Sequence, residues 1–434
     1  MLFLGFALNS ISCKICPMKR KLLYSSFAAA VIIASFSAWW FWPQPKPLPL
    51  TLRQGSFEQL PGWDKANVKR SLQAFQTSCK SFLKQEPEKP VGSHHLDLKA
   101  KDWQPACQAA LAIQPITNKK AKEFFQQWFS PVEFFNNRSV QGLFTGYYMP
   151  LLYGSRTKTE KYNVPIYGVP SDLVTIDLGQ FDPAFKHRKL VGRAAGHKIV
   201  PYYTRAEINK GMIKKKAPVL VWIDNPIDRV FLEIQGSGIV QLPDGEQMYL
   251  GYAAQNGAPY TAIAKVLIDK GVMTKHNASM QAIKRYLMAH PKEMNKVLNQ
   301  NKSFVFFERL SRNAAYGTQG VALTPGYSLA IDLKWIPMGT PLWLTTTRPE
   351  RRSDNQKPFQ RLMIAQDTGG AIRGLVRGDV FWGAGKRATY IAGHMKNDGH
   401  YWLLLPQHAV ERLQKEFSNL HIMAADKKRT TLSR

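Results

Sequence analysis

Acidic residues are scarce in this sequence: 30 Asp and Glu stand against 59 Lys and Arg in 434 residues, a formal net charge of +29. A surface with this charge attracts polyanions, and nucleic acid and an anionic cell-wall polymer are the two candidate partners. The chain has no zinc-finger spacing and no aromatic RNA-binding signature. Charge alone therefore leaves the partner open, and the location of the protein has to decide.

Cysteine is scarce as well, with four residues. Cys13 and Cys16 form a C-x-x-C pair, but without a surrounding fold this spacing is a weak indication of a redox or metal site, and we predict no metal site. Cys79 and Cys107 lie 28 positions apart in helix-like segments of the part that we expect to be exported, where disulfides persist. We predict a disulfide between them; two buried free thiols are the alternative.

Only one hydrophobic run is long enough to cross a bilayer as a helix, the uncharged residues 22–42. Three basic residues precede it, and the aromatic cluster Trp39–Trp42 ends it, as is typical of a membrane interface. We therefore predict that residues 18–45 are an N-terminal membrane anchor that leaves the following chain in the periplasm.

The same segment is also compatible with a cleaved signal peptide, because the small residues Ser35 and Ser37 offer a cleavage site. The protein would then be secreted into the periplasm. Met18, followed by Lys-Arg-Lys, is a more typical start than Met1. We interpret residues 1–17 as a mis-called extension.

The full sequence has 44% apolar and 21% charged residues, so the chain can form a sizeable core in two or three domains. Apolar residues at helical spacing predict helices over roughly 62–84, 101–113, 117–129 and 261–300, the last interrupted at Pro291. Thr204 and Glu207 fit a capping box at the start of a further short helix.

Short β-like runs separated by Gly, Pro and Asp make up most of the remainder. We predict a strand over Gly142–Met149 that ends at Pro150, and strands over 218–223 and 229–235 with a turn at Asn225 between them. Further short strands are predicted after the run 304–307, at 328–334, 341–346, 361–366, 377–382 and 401–405. Many short strands with little helix between them favour a small barrel.

Three aspartates in the C-terminal third, Asp332, Asp367 and Asp379, each lie in or end an apolar strand-like run. Aspartate is depleted inside strands, so its presence there needs a reason. One reason is that these residues hold turns through backbone N–H groups. The other is a shared cleft, where burial or a neighbouring charge raises the pKa of one carboxyl and creates a general acid.

The ordered set of motifs resembles the membrane-bound lytic murein transglycosylase A (MltA) family with its C-terminal three-aspartate (3D) domain. The resemblance covers roughly residues 140–406 and rests, besides the three aspartates, on the segments Phe144–Tyr148, Pro201–Ile208, Glu233–Gly238, Ser303–Phe307 and Gln366–Ile372. It implies a mainly β protein with peripheral helices, in which a double-psi β-barrel carries an inserted β-rich domain, with a substrate groove between them. We expect helices and the first part of the barrel at 60–148, the insert at 149–300, and the rest of the barrel at 301–425.

The resemblance further implies a peptidoglycan lytic transglycosylase, a carbon–oxygen lyase classed with the exotransglycosylases. It would cleave the β-1,4 bond between N-acetylmuramic acid (MurNAc) and N-acetylglucosamine (GlcNAc) and leave 1,6-anhydro-MurNAc ends in cell-wall turnover. The family's single catalytic aspartate falls on Asp379, and Asp367 and Asp332 become supporting residues. The partners implied are glycan strands and the membrane rather than nucleic acid, with no cofactor, and partners in the wall-synthesis machinery stay open.

Substrate contacts are expected from residues on both sides of the groove. The candidates are Thr145, Tyr147, Gln235, Gly236, Ser237, Thr368, Gly369 and Gly370. Thr145 and Tyr147 share one face of a strand and can act together, although strand packing explains them equally well. A turn or bulge is the alternative for Gln235–Ser237. A water-using glycosidase with Asp367 as its second carboxylate and a non-catalytic wall-binding protein are the competing functions.

Overall fold

The computed structural model describes residues 50–419 apart from 186–187, 275–276, 312–313 and 351–352. The predicted extension 1–17 and membrane segment 18–45 lie outside the described residues. Among residues 50–419, with the gaps given above, no helix is long and apolar enough to span a membrane.

Helices occur throughout the described chain, between groups of strands. In chain order they are α1 (Lys69–Phe82), α2 (Ala100–Ala112), α3 (Asn118–Trp128), α4 (Arg205–Asn209), α5 (Pro226–Gln235), α6 (Ile263–Asp269), α7 (Met280–Ala289), α8 (Pro291–Leu298), α9 (Lys386–His394) and α10 (410–419). The first helix was predicted from residue 62 but begins at Lys69. The chain before it turns at Gly62, whose φ of 74° is outside the helical region.

Strands dominate the described chain. In chain order they are β1 (Thr51–Gln54), β2 (Phe129–Phe135), β3 (Gly142–Met149), β4 (Leu151–Ser155), β5 (Val164–Tyr167), β6 (Val174–Asp177), β7 (Lys189–Ala195), β8 (Lys198–Pro201), β9 (Val219–Ile223), β10 (Ser237–Gln241), β11 (Gln247–Gln255), β12 (Val305–Arg309), β13 (Ser328–Ile331), β14 (Pro341–Glu350), β15 (Ser353–Thr368), β16 (Arg377–Ala384) and β17 (Lys396–Pro406). Their predominance confirms the mainly β class predicted from the sequence.

Six of these strands close into a barrel. The order is β17-β14-β15-β13-β16-β3, and β3 pairs back with β17 to complete the circle. The pairs β13–β15 and β3–β16 are parallel and the others are antiparallel. Strands β2 and β1 continue the sheet outward from β17. Closure brings β3 beside β16, although more than 200 residues separate them in the chain.

Helices α1 to α3 cover the barrel with an apolar face. Leu72, Phe75, Cys79 and Phe82 recur at the three- and four-residue spacing of one helix face, and all four are buried. They share a core with barrel residues such as Trp343. A disulfide between Cys79 and Cys107 joins α1 to α2.

The chain between β3 and β13 builds a second β-rich region. Its main sheet has the order β12-β11-β10-β4-β9-β5, and β6, β7 and β8 form a separate three-stranded meander. Strand β12 follows residue 300, where we placed the end of the insert. Helices α6 to α8 pack against α5 through apolar side chains such as Val230, Ile263 and Leu287.

The prediction of a strand at residues 229–235 is wrong, because α5 occupies this stretch. Asn225 caps the helix, with its Oδ1 accepting a 2.8 Å hydrogen bond from the N–H of Ile227, and Pro226 takes the first helical position. Val230 and Phe231, which suggested a strand, instead lie on the buried face of the helix together with Ile227. Tertiary burial of that face overrides local β propensity.

Candidate active site

Asp379 lies on β16 directly opposite Thr145 of the parallel strand β3. Thr145 Oγ1 donates a 2.7 Å hydrogen bond to Asp379 Oδ1. Burial raises the pKa of Asp379 from 3.8 to about 6, while the Thr145 hydrogen bond and the Arg377 charge oppose the shift and the charge of Asp367 adds to it. A carboxyl with this pKa is partly protonated close to neutral pH, as a general acid requires.

Arg377 orients the hydroxyl that contacts Asp379. Its Nη2 donates a 2.9 Å hydrogen bond to Thr145 Oγ1, so the single hydroxyl hydrogen of Thr145 is free to point at the carboxylate. Another nitrogen, Nη1, donates to the carbonyls of Leu143 and Gly378, which holds the guanidinium against the strand pair. Burial lowers the pKa of Arg377, and the negative charge of Asp379 counters that effect.

Asp367, at the end of β15, accepts hydrogen bonds on both carboxylate oxygens. Tyr147 donates its hydroxyl to Oδ2 at 2.8 Å, and Oδ1 accepts from the N–H and the hydroxyl of Thr318 and from the N–H of Thr368, each at 2.9 Å. Burial raises the pKa of Asp367, and these hydrogen bonds counter the rise. The acceptor capacity of this carboxylate is therefore largely used by protein donors.

Strand β13 brings the two aspartates together. Ala330 pairs with Asp379 on one side and with Asp367 on the other. Directly paired residues point to the same face of a sheet, so both carboxylates flank the small side chain of Ala330. The two donors also share a strand, because Thr145 and Tyr147 are alternate residues of β3. One face of β3 thus supplies a hydroxyl to each aspartate.

Gly146, between those two residues, allows close packing on the opposite face of β3. A Cβ at this position would lie 2.6 Å from Trp382 Nε1 and 3.0 Å from the Cα of Ala392. Glycine therefore lets α9 approach the strand. In the order Thr-Gly-Tyr, the two hydroxyl side chains face the aspartates, and the glycine between them leaves room for α9 on the opposite face of the strand.

Asp332 lies apart from this pair and holds a turn. Its side chain is buried, with Oδ1 accepting from the N–H of Lys334 at 3.1 Å and Oδ2 from the N–H of Gly374 at 2.9 Å. Its carbonyl accepts from the N–H groups of Trp335 and Ile336. These hydrogen bonds fit the interpretation that Asp332 holds a turn, and they connect the end of β13 to the loop before β16.

The predicted residues of the second β-rich region are close to the barrel. Gln235 ends α5, and its Oε1 accepts a 2.9 Å hydrogen bond from the N–H of Tyr148 on β3. Gly236 follows with a φ of 75°, which ends the helix in the left-handed conformation. Ser237 begins β10 and is buried. The helix-ending role accounts for Gly236 without any ligand.

The segment after β15 places its residues around Asp367. Thr368 Oγ1 is 2.9 Å from the hydroxyl of Thr318. Gly369 starts a turn in which its carbonyl accepts from the N–H of Ile372 at 3.0 Å and from Arg373 Nη1 at 2.8 Å. Gly370 is exposed, with open space on its side-chain side.

Sequence reasoning missed two residues of this site. Arg377 stands two positions before Asp379 on the same strand. Because side chains alternate between the two faces of a strand, this spacing indicated that they share a face. Thr318 lies in a loop before β13, and nothing in its local sequence indicates a contact with Asp367. Within the described ranges, no group of three or more His, Cys, Asp and Glu could hold a metal ion.

Comparisons with known proteins identify the family of the chain. Residues 143–308 match the MltA specific insert domain, and residues 327–405 match the 3D domain. The membrane-bound lytic murein transglycosylase A of Escherichia coli (strain K12) is 33% identical over 264 residues, which are 60% of this chain and 65% of that protein. The chain thus spans just under two thirds of the length of the curated relatives it matches.

Solved structures extend the similarity over more of the chain. The crystal structure of MltA from Neisseria gonorrhoeae (monoclinic form) is 33% identical, covers 84% of this chain and 97% of its own, and has a TM-score of 0.69. The structure of Escherichia coli MltA with bound chitohexaose is 26% identical, with 84% and 97% coverage and a TM-score of 0.60. These matches confirm the family and the fold class predicted from the sequence. This chain belongs to the membrane-bound lytic murein transglycosylase A family.

Proposed function

We propose that this protein is a lytic transglycosylase that cleaves the MurNAc–GlcNAc β-1,4 bond of peptidoglycan and leaves a 1,6-anhydro-MurNAc end. The observation that carries the proposal is Asp379, a carboxyl whose pKa is raised to about 6 and whose orientation is held by Thr145. Family membership supports the same activity, since the curated relatives are named lytic murein transglycosylases.

The reaction needs one group that first gives and then takes a proton. Protonated Asp379 donates its proton to the glycosidic oxygen, and the bond to the anomeric carbon of MurNAc breaks. The C6 hydroxyl of the same sugar attacks the oxocarbenium-like carbon, and the Asp379 carboxylate accepts the hydroxyl proton. The nucleophile is part of the substrate, so its effective concentration is high and no water is consumed.

The contacts of Asp379 match this double role. Thr145 donates to Oδ1, which leaves Oδ2 as the oxygen for the transferable proton. After proton donation the carboxylate is stabilised by the Thr145 hydroxyl and the positive charge of Arg377. The acid is therefore neither so weak that it stays protonated nor so strong that it is always ionised.

A water-using glycosidase needs a second carboxylate with a free oxygen to act as base or nucleophile. Asp367 is the neighbour that could serve, but Tyr147, Thr318 and Thr368 together donate four hydrogen bonds to it. These bonds favour a supporting role, in which Asp367 contributes negative charge that keeps the pKa of Asp379 high.

We assign the glycan to the junction of the barrel and the second β-rich region. Tyr147, Phe381 and Ala330 of the barrel pack with Ile239 of β10 in one apolar cluster there. Gln235 and Ser237 on one side and Thr368 to Gly370 on the other are the proposed polar contacts. A family member from Escherichia coli has been solved with bound chitohexaose, an oligosaccharide, which supports a glycan as ligand.

We place the enzyme in the periplasm, associated with a membrane. The curated relatives are named membrane-bound. Attachment through residues 18–45 as an N-terminal helix is part of the proposal, as are the boundaries of the barrel at 60–148 and 301–425 and of the insert at 149–300. The comparison of membrane and soluble fractions, for the full chain and for a chain starting at residue 46, tests the anchor.

Mass spectrometry of purified sacculi digested with the protein tests the activity. We expect muropeptides that end in 1,6-anhydro-MurNAc and are one water lighter than hydrolytic products. Digestion with Asp379→Asn serves as the control for contaminating enzymes. Products with a reducing MurNAc end would instead identify a hydrolase, and intact sacculi bound to protein would identify a wall-binding protein.

A further inference from the structure

A cavity of about 400 Å³ lies in the second β-rich region, away from the two aspartates of the barrel. Strands β5 and β9, the end of α4 and the side of α5 surround it. The residues that give it its chemistry are Lys158, Tyr167, Asn209, Lys214, Trp222 and Arg229. We call this site the cationic pocket.

The pocket carries positive charge with no compensating carboxylate in its lining. Three cations, Lys158, Lys214 and Arg229, reach its wall, and none of its described lining residues is Asp or Glu. Trp222 adds an aromatic face, with Lys158 Nζ lying 5.7 Å from the ring centroid. This lining suits a ligand that combines a carboxylate with an apolar portion.

Arg229 is the buried cation of the pocket and is only 6% exposed. Nη2 donates to Asn209 Oδ1 at 2.5 Å and Nη1 to the carbonyl of Pro165 at 3.4 Å. Nε makes no hydrogen bond within the described chain and is 3.8 Å from Glu233 Oε1. That carboxylate is already held by Arg205, through 3.0 and 2.5 Å hydrogen bonds to its two oxygens.

Arg229 shares its nearest carboxylate, Glu233, with Arg205, so two buried guanidinium groups face one buried carboxylate, and burial penalises their charged forms. Burial lowers the pKa of Arg229, and the charge of Glu233 counters that effect. An anion entering the pocket would compensate this charge, and the exposed Lys158 and Lys214 would add to the attraction from the rim. The pocket therefore selects for an anion.

Helix α5 connects the pocket to the junction where we place the glycan. Arg229 and Gln235 are six residues apart, about 9 Å along the helix axis. A peptide of four residues extends over about 13 Å. A short peptide attached to a sugar at the junction can therefore reach the pocket while the glycan stays in place.

We propose that the cationic pocket binds a carboxylate of the peptide stem that the peptidoglycan strand carries on MurNAc. The proposal rests on the proposed function, because that substrate is what brings the stem to this surface. The pocket then anchors the peptide-bearing strand and favours it over a peptide-free strand.

Binding of a free stem tetrapeptide, measured by isothermal titration calorimetry on the full chain, tests the pocket without turnover. The test variant is Lys158→Ala with Lys214→Ala. Its matched control is Lys161→Ala with Lys215→Ala, which removes the same charge from exposed neighbours that do not line the pocket. A tetrapeptide with amidated carboxyl groups is the ligand control.

We expect binding to the wild type, about tenfold or more weaker binding to the test variant, unchanged binding to the control variant, and none of the amidated peptide. Equal loss in both variants, undiminished binding of the amidated peptide, or no binding to the wild type would overturn the proposal. Release of anhydro ends from peptide-free strands reports the proposed function separately, and there we expect the test variant to match the wild type.

Discussion

Thr145 and Asp379 are 234 positions apart in the chain, yet they lie directly opposite each other on parallel strands and share a 2.7 Å hydrogen bond. The barrel closure that joins β3 to β16 therefore also brings the proposed acid next to the hydroxyl that hydrogen-bonds to it. Because Arg377 donates to the same hydroxyl, three side chains form one chain of hydrogen bonds.

Asp379→Asn should abolish glycan cleavage while leaving the fold intact. The amide keeps the size of the side chain but has no proton of suitable acidity, so we expect a loss of about 100- to 10,000-fold or more. Anhydromuropeptide release measures it, with circular dichroism as the check on folding.

Asp367→Asn and Asp332→Asn are the comparison variants. Each would leave a partly buried N–H or hydroxyl donor without its acceptor, at a cost of up to about 1–3 kcal/mol in stability. We expect smaller losses of activity than for Asp379→Asn. Near-normal turnover of Asp379→Asn beside an inactive Asp367→Asn would contradict the assignment of the acid.

The pH dependence of activity should report Asp379. Its pKa of about 6 means that the protonated form needed for donation declines above that pH. We expect kcat/KM on soluble glycan strands to fall with a single-proton slope as pH rises through about 6. A profile flat from pH 5 to 8 would show that another group supplies the proton.

The same carboxyl should limit stability above pH 6. Its pKa is about 6 in the folded state and 3.8 ordinarily, so between these values the folded state binds more protons, and the free energy of unfolding falls as pH rises. Asn carries no such penalty. We expect Asp379→Asn to exceed the wild type by up to about 3 kcal/mol at pH 7, with the difference vanishing near pH 3, below the ordinary pKa. Urea unfolding at both pH values measures it, and an equal gain at both would contradict the linkage.

Thr145→Val should shift the pH profile rather than only reduce the rate. The Thr145 hydrogen bond lowers the pKa of Asp379, so its loss should raise that pKa and move the decline in kcat/KM to higher pH. Thr145→Ser retains the hydroxyl and should keep the wild-type midpoint. If both variants lose rate with an unchanged midpoint, Thr145 acts only in packing.

The bridge between Cys79 and Cys107 should contribute to stability but not to chemistry. Both residues are buried between α1 and α2, and neither makes a hydrogen bond to the aspartates. Closing a loop across a separation of 28 residues reduces the conformational entropy of the unfolded chain, which stabilises the folded state by roughly 3 kcal/mol. We expect Cys79→Ser with Cys107→Ser to unfold at lower urea concentration with similar turnover near 25 °C. Two titratable thiols in the denatured wild-type chain that starts at residue 46, measured without reductant, would argue against the bridge.

Local patterns predicted most of the elements in the structure. The helical spacing of Leu72, Phe75 and Cys79 is visible in the sequence, and so is the strand that ends before Pro150. Residues 229–235 were misjudged because β-branched and aromatic side chains favour a strand unless a neighbouring helix layer buries them. Asn225 followed by Pro226 was the overlooked sign of a helix start.

The sequence by itself determined the mainly β class, the family and the three aspartates as candidates, because those depend on residue types and their order. Only the tertiary structure decided what surrounds each aspartate. Strand register places Asp367 and Asp379 on either side of Ala330, whereas Asp332, with the same local character, holds a turn. Burial then raises the pKa of Asp379, and a loop residue, Thr318, donates hydrogen bonds to Asp367. These differences arise from contacts between distant segments, which no local pattern records.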